Sequence, residues 1–271
     1  MIKLATNIFL TLFLCSCVNA ATFKARSCVD FPQAGSKVAQ KTVYDVNDQP
    51  YNVLCYYDGL DIYTLIESFN KTNSLHSKIA ASFAIDTAVN EDTSSSVFPL
   101  DLYRLSKARM EYLASKSTMF MSSCNVVINP NQFQSSSVGH DYIKGTLDQN
   151  SKRLFFESAW LTLASDNCLS VSGNVFGASF SAKSIPVFSR NDIHLHMSVD
   201  ESKSYCDKHD LLLVSEPAKV TACGVSDYPP GAPATANLFG SYNKCTKDFS
   251  CSGADGSITS WWLGSTAPPI Y

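Results

Sequence analysis

The chain has 271 residues, of which 45% are hydrophobic and only 17% are charged. Its 21 lysines and arginines face 24 aspartates and glutamates, for a net charge of −3. There is therefore no basic surplus that would neutralise nucleic-acid phosphates, and a nucleic-acid partner is not expected. The ordinary glycine and proline content excludes a collagen-like chain, and the apolar content excludes a wholly disordered one.

Residues 1–20 have the pattern of a secretory signal peptide. Lys3 precedes an apolar run, and residues 18–20 (Val-Asn-Ala) form a small-residue cleavage site. The run is about ten residues long, whereas a membrane-spanning helix needs about 20. A bacterial lipoprotein signal that presents Cys17 and a buried N-terminal helix or strand are the alternatives. We expect a secreted, extracellular product of residues 21–271 without a transmembrane segment.

Cysteine usage agrees with export. Outside the signal peptide there are eight cysteines: Cys28, Cys55, Cys124, Cys168, Cys206, Cys223, Cys245 and Cys251. An even number in an oxidising compartment indicates four disulfides. Short separations favour the pairs Cys206–Cys223 and Cys245–Cys251, and a Cys28–Cys55 disulfide would close the first hairpin. The competing interpretation is a zinc–thiolate site, but no CxxC pair is present.

The first predicted elements are strands. Residues 43–46, a polar turn at 47–50 and residues 51–56 have the pattern of a β-hairpin. A third β-prone run covers residues 63–66. Asn70 begins the sequon Asn-Lys-Thr and is a candidate glycosylation site.

Helices are predicted further along the chain. Residues 101–116 have apolar side chains at three- and four-residue steps, with Asp101 as the N-cap. A second helix is predicted at 200–209, a short strand at 211–214 and a proline-rich loop at 224–237. These elements indicate an α+β, disulfide-braced domain with mainly antiparallel strands and a few short helices. Residues 185–271 are a possible C-terminal subdomain.

Four segments follow one another between residues 27 and 66: Ser27-Cys28, Tyr44-Asp45-Val46, the run from Pro50 to Cys55, and the run from Tyr63 to Ile66. In order and spacing they resemble the opening of a fibrinogen C-terminal-like domain. The resemblance implies an extracellular recognition module. No aspartate-rich calcium loop of that family is found, so no calcium ligands are assigned.

A second resemblance lies nearer the end of the chain. Residues 200–206 and 211–215 are similar to the first helix and the following strand of C-type-lectin-like domains, and residues 261–264 would be a core strand there. The sugar-binding triplets of that family are missing. This resemblance also implies recognition without chemistry.

One motif points to a metal. On a strand, Asp192, His194 and His196 would share one face and could supply three ligands to a divalent ion. The alternative is a half-exposed strand with its polar residues outward, because alternation alone explains the pattern. A secreted metal-dependent hydrolase using the two histidines is therefore the alternative function. We expect no cofactor, while calcium and zinc remain open.

Aromatic side chains are the other candidate site. Those that could stack on sugar rings or enter a partner's pocket, if exposed, are Tyr56, Tyr57, Tyr228, Trp261 and Trp262; burial in the core is the alternative. No Gly-x-Ser-x-Gly elbow occurs, and paired cysteines leave no thiolate nucleophile. The sequence thus predicts a secreted, non-enzymatic protein that binds an extracellular glycan or protein.

Overall fold

A computed structural model of the chain describes residues 23–32, 36–70, 83–92, 97–124, 142–157, 168–175, 178–190, 193–199, 237–239 and 258–267. The predicted signal peptide, the helix predicted at 200–209 and the strand predicted at 211–214 lie outside these residues.

The described part of the chain is mainly strand, with one 3-10 helix and two α-helices. The 3-10 helix covers Cys28–Asp30, and the α-helices are α1 (Lys107–Lys116) and α2 (Gln149–Phe156). The strands are β1 (Val38–Tyr44), β2 (Pro50–Asp58), β3 (Asp61–Asn70), β4 (Leu102–Arg104), β5 (Met119–Cys124), β6 (Tyr142–Thr146), β7 (Cys168–Val175), β8 (Ala178–Arg190), β9 (Ile193–Val199), β10 (Asn237–Phe239) and β11 (Ile258–Thr266).

These strands form one antiparallel sheet in the order β1-β2-β3-β11-β5-β6-β7-β8-β9-β10, and β4 pairs with β3 beside this path. The last described strand, β11, therefore lies in the middle of the sheet, between β3 and β5. The predicted α+β class, with mainly antiparallel strands and few helices, is confirmed for the described residues. Residues 258–266 fall within the possible subdomain at 185–271, yet they are part of this sheet.

The predicted hairpin is present as β1 and β2, with Val43 opposite Tyr51. Its turn is held by the carboxylate of Asp45, which accepts hydrogen bonds from the backbone N–H groups of Asn47 (2.8 Å) and Gln49 (2.9 Å). Asp48 adopts a left-handed conformation with φ of 61°. The third β-prone run is also a strand, since residues 63–66 lie within β3.

The helix predicted at 101–116 is shorter than expected. It begins after Ser106, and residues 102–104 form β4 instead. The prediction of Asp101 as the N-cap is therefore wrong. The apolar residues at positions 102 and 105 are compatible with either a helix or a strand. Pairing with β3 favours the strand, because it lets Arg104 reach the buried carboxylate of Glu67.

The disulfide predicted between Cys28 and Cys55 is present and joins the 3-10 helix to β2. Both cysteines are completely buried, and the backbone N–H of Cys28 also donates to the hydroxyl of Thr64 (3.0 Å). The backbones of Cys124 and Cys168 belong to β5 and β7, but their side chains lie outside the described part of the structure. The other four cysteines lie outside it altogether.

Two adjacent tryptophans of β11 pack on opposite faces of the sheet. Trp261 contacts Phe83 (ring centroids 5.6 Å apart) and Phe155 of α2 (6.2 Å). Trp262 contacts Tyr56 on the other face (6.0 Å). This alternation follows from the two-residue period of a strand and gives the sheet apolar contacts on both sides.

None of the helices in the described residues has the length and apolar character needed to span a membrane.

Candidate functional site

The structure places four of the five candidate aromatic residues in the core. Tyr56, Tyr57, Trp261 and Trp262 are all less than a tenth exposed. The interpretation of these four side chains as an exposed stacking surface is therefore corrected, because they fill the space around the central strands instead. Tyr228 lies outside the described residues.

The candidate metal ligands are only partly described. His194 and His196 lie on β9, where His196 is opposite Phe188 of β8, and the strand prediction for this motif agrees with β9. Asp192 and the side chains of both histidines lie outside the description. Among the described residues, no group of three His, Cys, Asp or Glu side chains could hold a metal ion. Asn70 of the sequon is the last residue of β3 and is half-buried.

An open cleft is the candidate site. It has a volume of about 540 Å³ and lies where the start of β3, the start of β5, the end of β6 and the first turn of α2 meet β7. We call it the β3–β6 cleft. Its lining consists of Asp61, Tyr63, Met119, Lys144, Gly145, Thr146, Asp148, Asn150, Leu169, Ser170 and Ser172.

Tyr63 can line the cleft because its neighbour on β11 is a glycine. In the sheet register, Tyr63 is opposite Gly264, which is opposite Met119. A Cβ on Gly264 would stand 2.7 Å from Cδ1 of the Tyr63 ring. The observed position of the ring therefore requires glycine at position 264. The Tyr63 side chain is fully buried, and its hydroxyl makes no hydrogen bond within the structure. Burial raises the pKa of this phenol, which therefore stays protonated and able to donate.

Lys144 of β6 forms an ion pair with Asp58 at the end of β2. Three strands separate β2 from β6 in the sheet order, and a flat sheet would put these strands about 19 Å apart, too far for the two side chains to meet. The sheet must therefore curl toward this face. The Lys144 ammonium also lies 5.5 Å from the centre of the Tyr63 ring and 5.4 Å from that of Tyr142.

The first turn of α2 forms another wall of the cleft. Asp148 is the N-cap, and its Oδ1 accepts hydrogen bonds from the backbone N–H and the hydroxyl of Ser151, both at 2.8 Å. These bonds hold the pKa of Asp148 below its ordinary value, so it is ionised at neutral pH. Asn150 accepts a hydrogen bond from Arg153 through Oδ1 (3.0 Å), and its amide nitrogen remains a donor.

The lining contains both hydrogen-bond donors and hydrogen-bond acceptors. Lys144 and the Tyr63 hydroxyl donate, the carboxylates of Asp61 and Asp148 accept, and serine and threonine hydroxyls do both. Such a set matches a ligand with several hydroxyl groups, each of which donates and accepts in turn. The arrangement offers hydrogen-bonding partners of both kinds to such a ligand.

Sequence reasoning missed this cleft. The Asp148-x-x-Ser151 spacing ahead of three apolar residues signals the start of α2, and that signal could have been found. The convergence of β3 and β6 depends on strand order and on the curl of the sheet, which no local motif encodes.

Comparison with known proteins gives no relative: no protein-family model, no curated protein sequence and no solved structure matches this chain.

Proposed function

We propose that this chain is a secreted, non-enzymatic recognition protein that binds an extracellular glycan in the β3–β6 cleft. The observation that carries the proposal is the buried Tyr63 hydroxyl. A hydroxyl withdrawn from water without a hydrogen-bond partner costs free energy. Tyr63 lines the cleft, so a ligand oxygen would satisfy this hydroxyl after a small shift of the side chains that cover it.

The shape of the cleft supports a glycan over a protein partner. A volume of about 540 Å³ is in the range of small-ligand sites, whereas a protein partner needs a broad interface. The polar lining supports a sugar over an apolar ligand, since every polar group there can bond a ring hydroxyl.

The setting supports an extracellular role. The signal-peptide pattern of residues 1–20 and the buried Cys28–Cys55 disulfide both fit an oxidising compartment. The fibrinogen-like resemblance of residues 27–66 and the lectin-like one near the end of the chain remain part of this proposal. Both imply a domain that recognises glycans or proteins without transforming them.

The test is a glycan array probed with the purified secreted protein, followed by titration of the best ligand against two variants. Tyr63→Phe removes the hydroxyl and keeps the ring, so binding should weaken about two- to tenfold while stability stays equal or rises. Ser170→Trp places a large side chain on an exposed lining position and should weaken binding at least about tenfold by filling the cleft.

Each variant has a matched control. Tyr57→Phe removes another buried hydroxyl that makes no hydrogen bond, but Tyr57 does not line the cleft, so binding should not change. Ser181→Trp changes an exposed serine of β8 outside the cleft and should also leave binding intact. An array without any bound glycan would contradict the proposal, as would a bound glycan that is insensitive to both cleft variants. Recovery of the glycan in cleaved form would contradict the non-enzymatic role.

A further inference from the structure

The charges of the β3–β6 cleft narrow the class of glycan. Its lining has two carboxylates, Asp61 and Asp148, and one ammonium, that of Lys144. The ammonium is already paired with a third carboxylate, Asp58. Among the ion pairs of the described residues, neither lining carboxylate is paired with a cation, so the described lining carries an excess of negative charge.

The two lining carboxylates are held in place by neighbouring hydrogen-bond donors. Asp61 accepts through Oδ1 from the hydroxyl of Thr266 (3.0 Å), and Asp148 accepts through Oδ1 from Ser151. Backbone N–H groups of Asn150 and Asp148 also interact with the Asp148 carboxylate. Arg153 lies nearby and donates to Asn150, but it does not line the cleft.

Acidic residues alone do not define a ligand site, and the second observation is again Tyr63. Tyr63 lines the same cleft, and its fully buried hydroxyl makes no hydrogen bond. The site thus combines an excess of negative charge with a donor that requires an oxygen partner. A ligand that satisfies both carries an ammonium group next to hydroxyl groups.

We infer that the cleft binds an amino sugar with a free amine, as found in glycans that lack N-acetyl groups. This inference rests on the proposed function, since it names the glycan class for the same cleft. The ammonium of the sugar would lie between Asp61 and Asp148, and a neighbouring ring oxygen or hydroxyl would accept from Tyr63. An acidic sugar is disfavoured because the cleft would repel its carboxylate.

The experiment is calorimetric titration of the secreted protein with four probes at slightly acidic pH, where the sugar amine is charged. The probes are a glucosamine tetramer, an N-acetylglucosamine tetramer, a glucose tetramer and tetralysine. Charge-assisted hydrogen bonds are roughly twice as strong as neutral ones, so the glucosamine tetramer should bind about tenfold more tightly than either neutral tetramer. Tetralysine should bind weakly, because it offers no oxygen acceptor to Tyr63 other than its backbone.

Two conservative variants separate charge from folding. Asp61→Asn keeps the acceptor for Thr266, and Asp148→Asn keeps an efficient N-cap, while each removes one negative charge. Each should reduce the preference for glucosamine about three- to tenfold and leave binding of the glucose tetramer nearly unchanged. Glu111→Gln on α1, an acid outside the cleft, is the control and should change neither affinity.

The outcomes distinguish the inference from the proposed function. Equal binding of the glucosamine and glucose tetramers would overturn the amino-sugar inference and leave glycan recognition standing. Tetralysine binding as tightly as the glucosamine tetramer would overturn the inference too, because charge alone would then explain the affinity. If no tetrasaccharide binds and the glycan array is also empty, both fail together.

Discussion

Arg104 and Glu67 form an ion pair inside the protein, with Nη1 of the guanidinium 3.2 Å from Oε1 of the carboxylate and neither side chain exposed. The same guanidinium donates through Nη2 to the backbone carbonyl of Ile85 (3.0 Å) and lies 5.3 Å from the centre of the Phe83 ring. Arg104 thereby connects β4, β3 and the segment at residues 83–85, which lies between these strands in the chain. A buried charge of this kind is tolerated only while its partners remain in place.

We predict that Arg104→Met destabilises the protein by about 3–5 kcal/mol, because it leaves the Glu67 carboxylate buried without its counter-ion. Denaturant unfolding followed by fluorescence measures the loss. The double variant Arg104→Met/Glu67→Met should recover a substantial part of it, since no buried charge then remains. A double variant less stable than the single one would show that the pair does not act as described.

Removal of the Cys28–Cys55 disulfide should cost about 3.5 kcal/mol, the loop-closure entropy for a sequence separation of 27 residues. The variant Cys28→Ala/Cys55→Ala avoids leaving a free buried thiol. Its unfolding midpoint should fall, and glycan affinity should be retained because neither cysteine lines the β3–β6 cleft. An unchanged midpoint would mean that the disulfide does not restrict the unfolded chain.

Gly264→Ala should destabilise the sheet and weaken ligand binding together. The added methyl would stand 2.3 Å from the carbonyl oxygen of Ile62, a backbone atom, and 2.7 Å from Tyr63 Cδ1. Such overpacking typically costs about 1–3 kcal/mol. Gly59→Ala is the comparison: Gly59 has φ of +66° with open space around it, so about 1–2 kcal/mol of backbone strain is expected without any effect on binding. Equal binding by both variants would contradict the role given to Gly264.

Asp148→Ala should cost about 1 kcal/mol through loss of the α2 N-cap, whereas Asp148→Asn should cost less. The difference in folding stability between the wild type and Asp148→Asn should depend on pH. Folding lowers the pKa of Asp148 from its ordinary 3.8 because the charged form accepts hydrogen bonds from Ser151. The charge-dependent stabilisation is thus fully present above about pH 5 and is lost as the pH falls through 3.8 toward the lower folded-state pKa. Thermal unfolding of both proteins across this range tests it, and a constant difference would contradict it.

Local sequence patterns were sufficient to predict the N-terminal part of the fold. The hairpin of β1 and β2 follows from strand-turn-strand alternation, and the Cys28–Cys55 disulfide was predicted because it would close that hairpin. Both depend on residues close in sequence. The start of α1 was misjudged for the opposite reason, because residues 102–104 are recruited by β3, a strand far earlier in the chain.

The candidate site depends more than the hairpin does on pairing between strands that are distant in the sequence. Large aromatic side chains are candidates for a stacking surface, but their size also favours burial, and Trp261 and Trp262 lie in the core. Tyr63 had no motif to distinguish it from Tyr56 or Tyr57. The glycine opposite it on β11 and the curl that brings β6 near explain why Tyr63 lines the cleft.

The central place of β11 has a consequence for biogenesis. Residues 258–266 are made after every other described strand, but β3 and β5 can be joined only through them. During translation the hairpin of β1 and β2 can form at once, while β3 must wait with one edge open until the ribosome has synthesised its neighbour. Nascent chains would therefore stay dependent on chaperones late into synthesis, and a premature stop before residue 258 would leave two halves of a sheet with no strand to unite them.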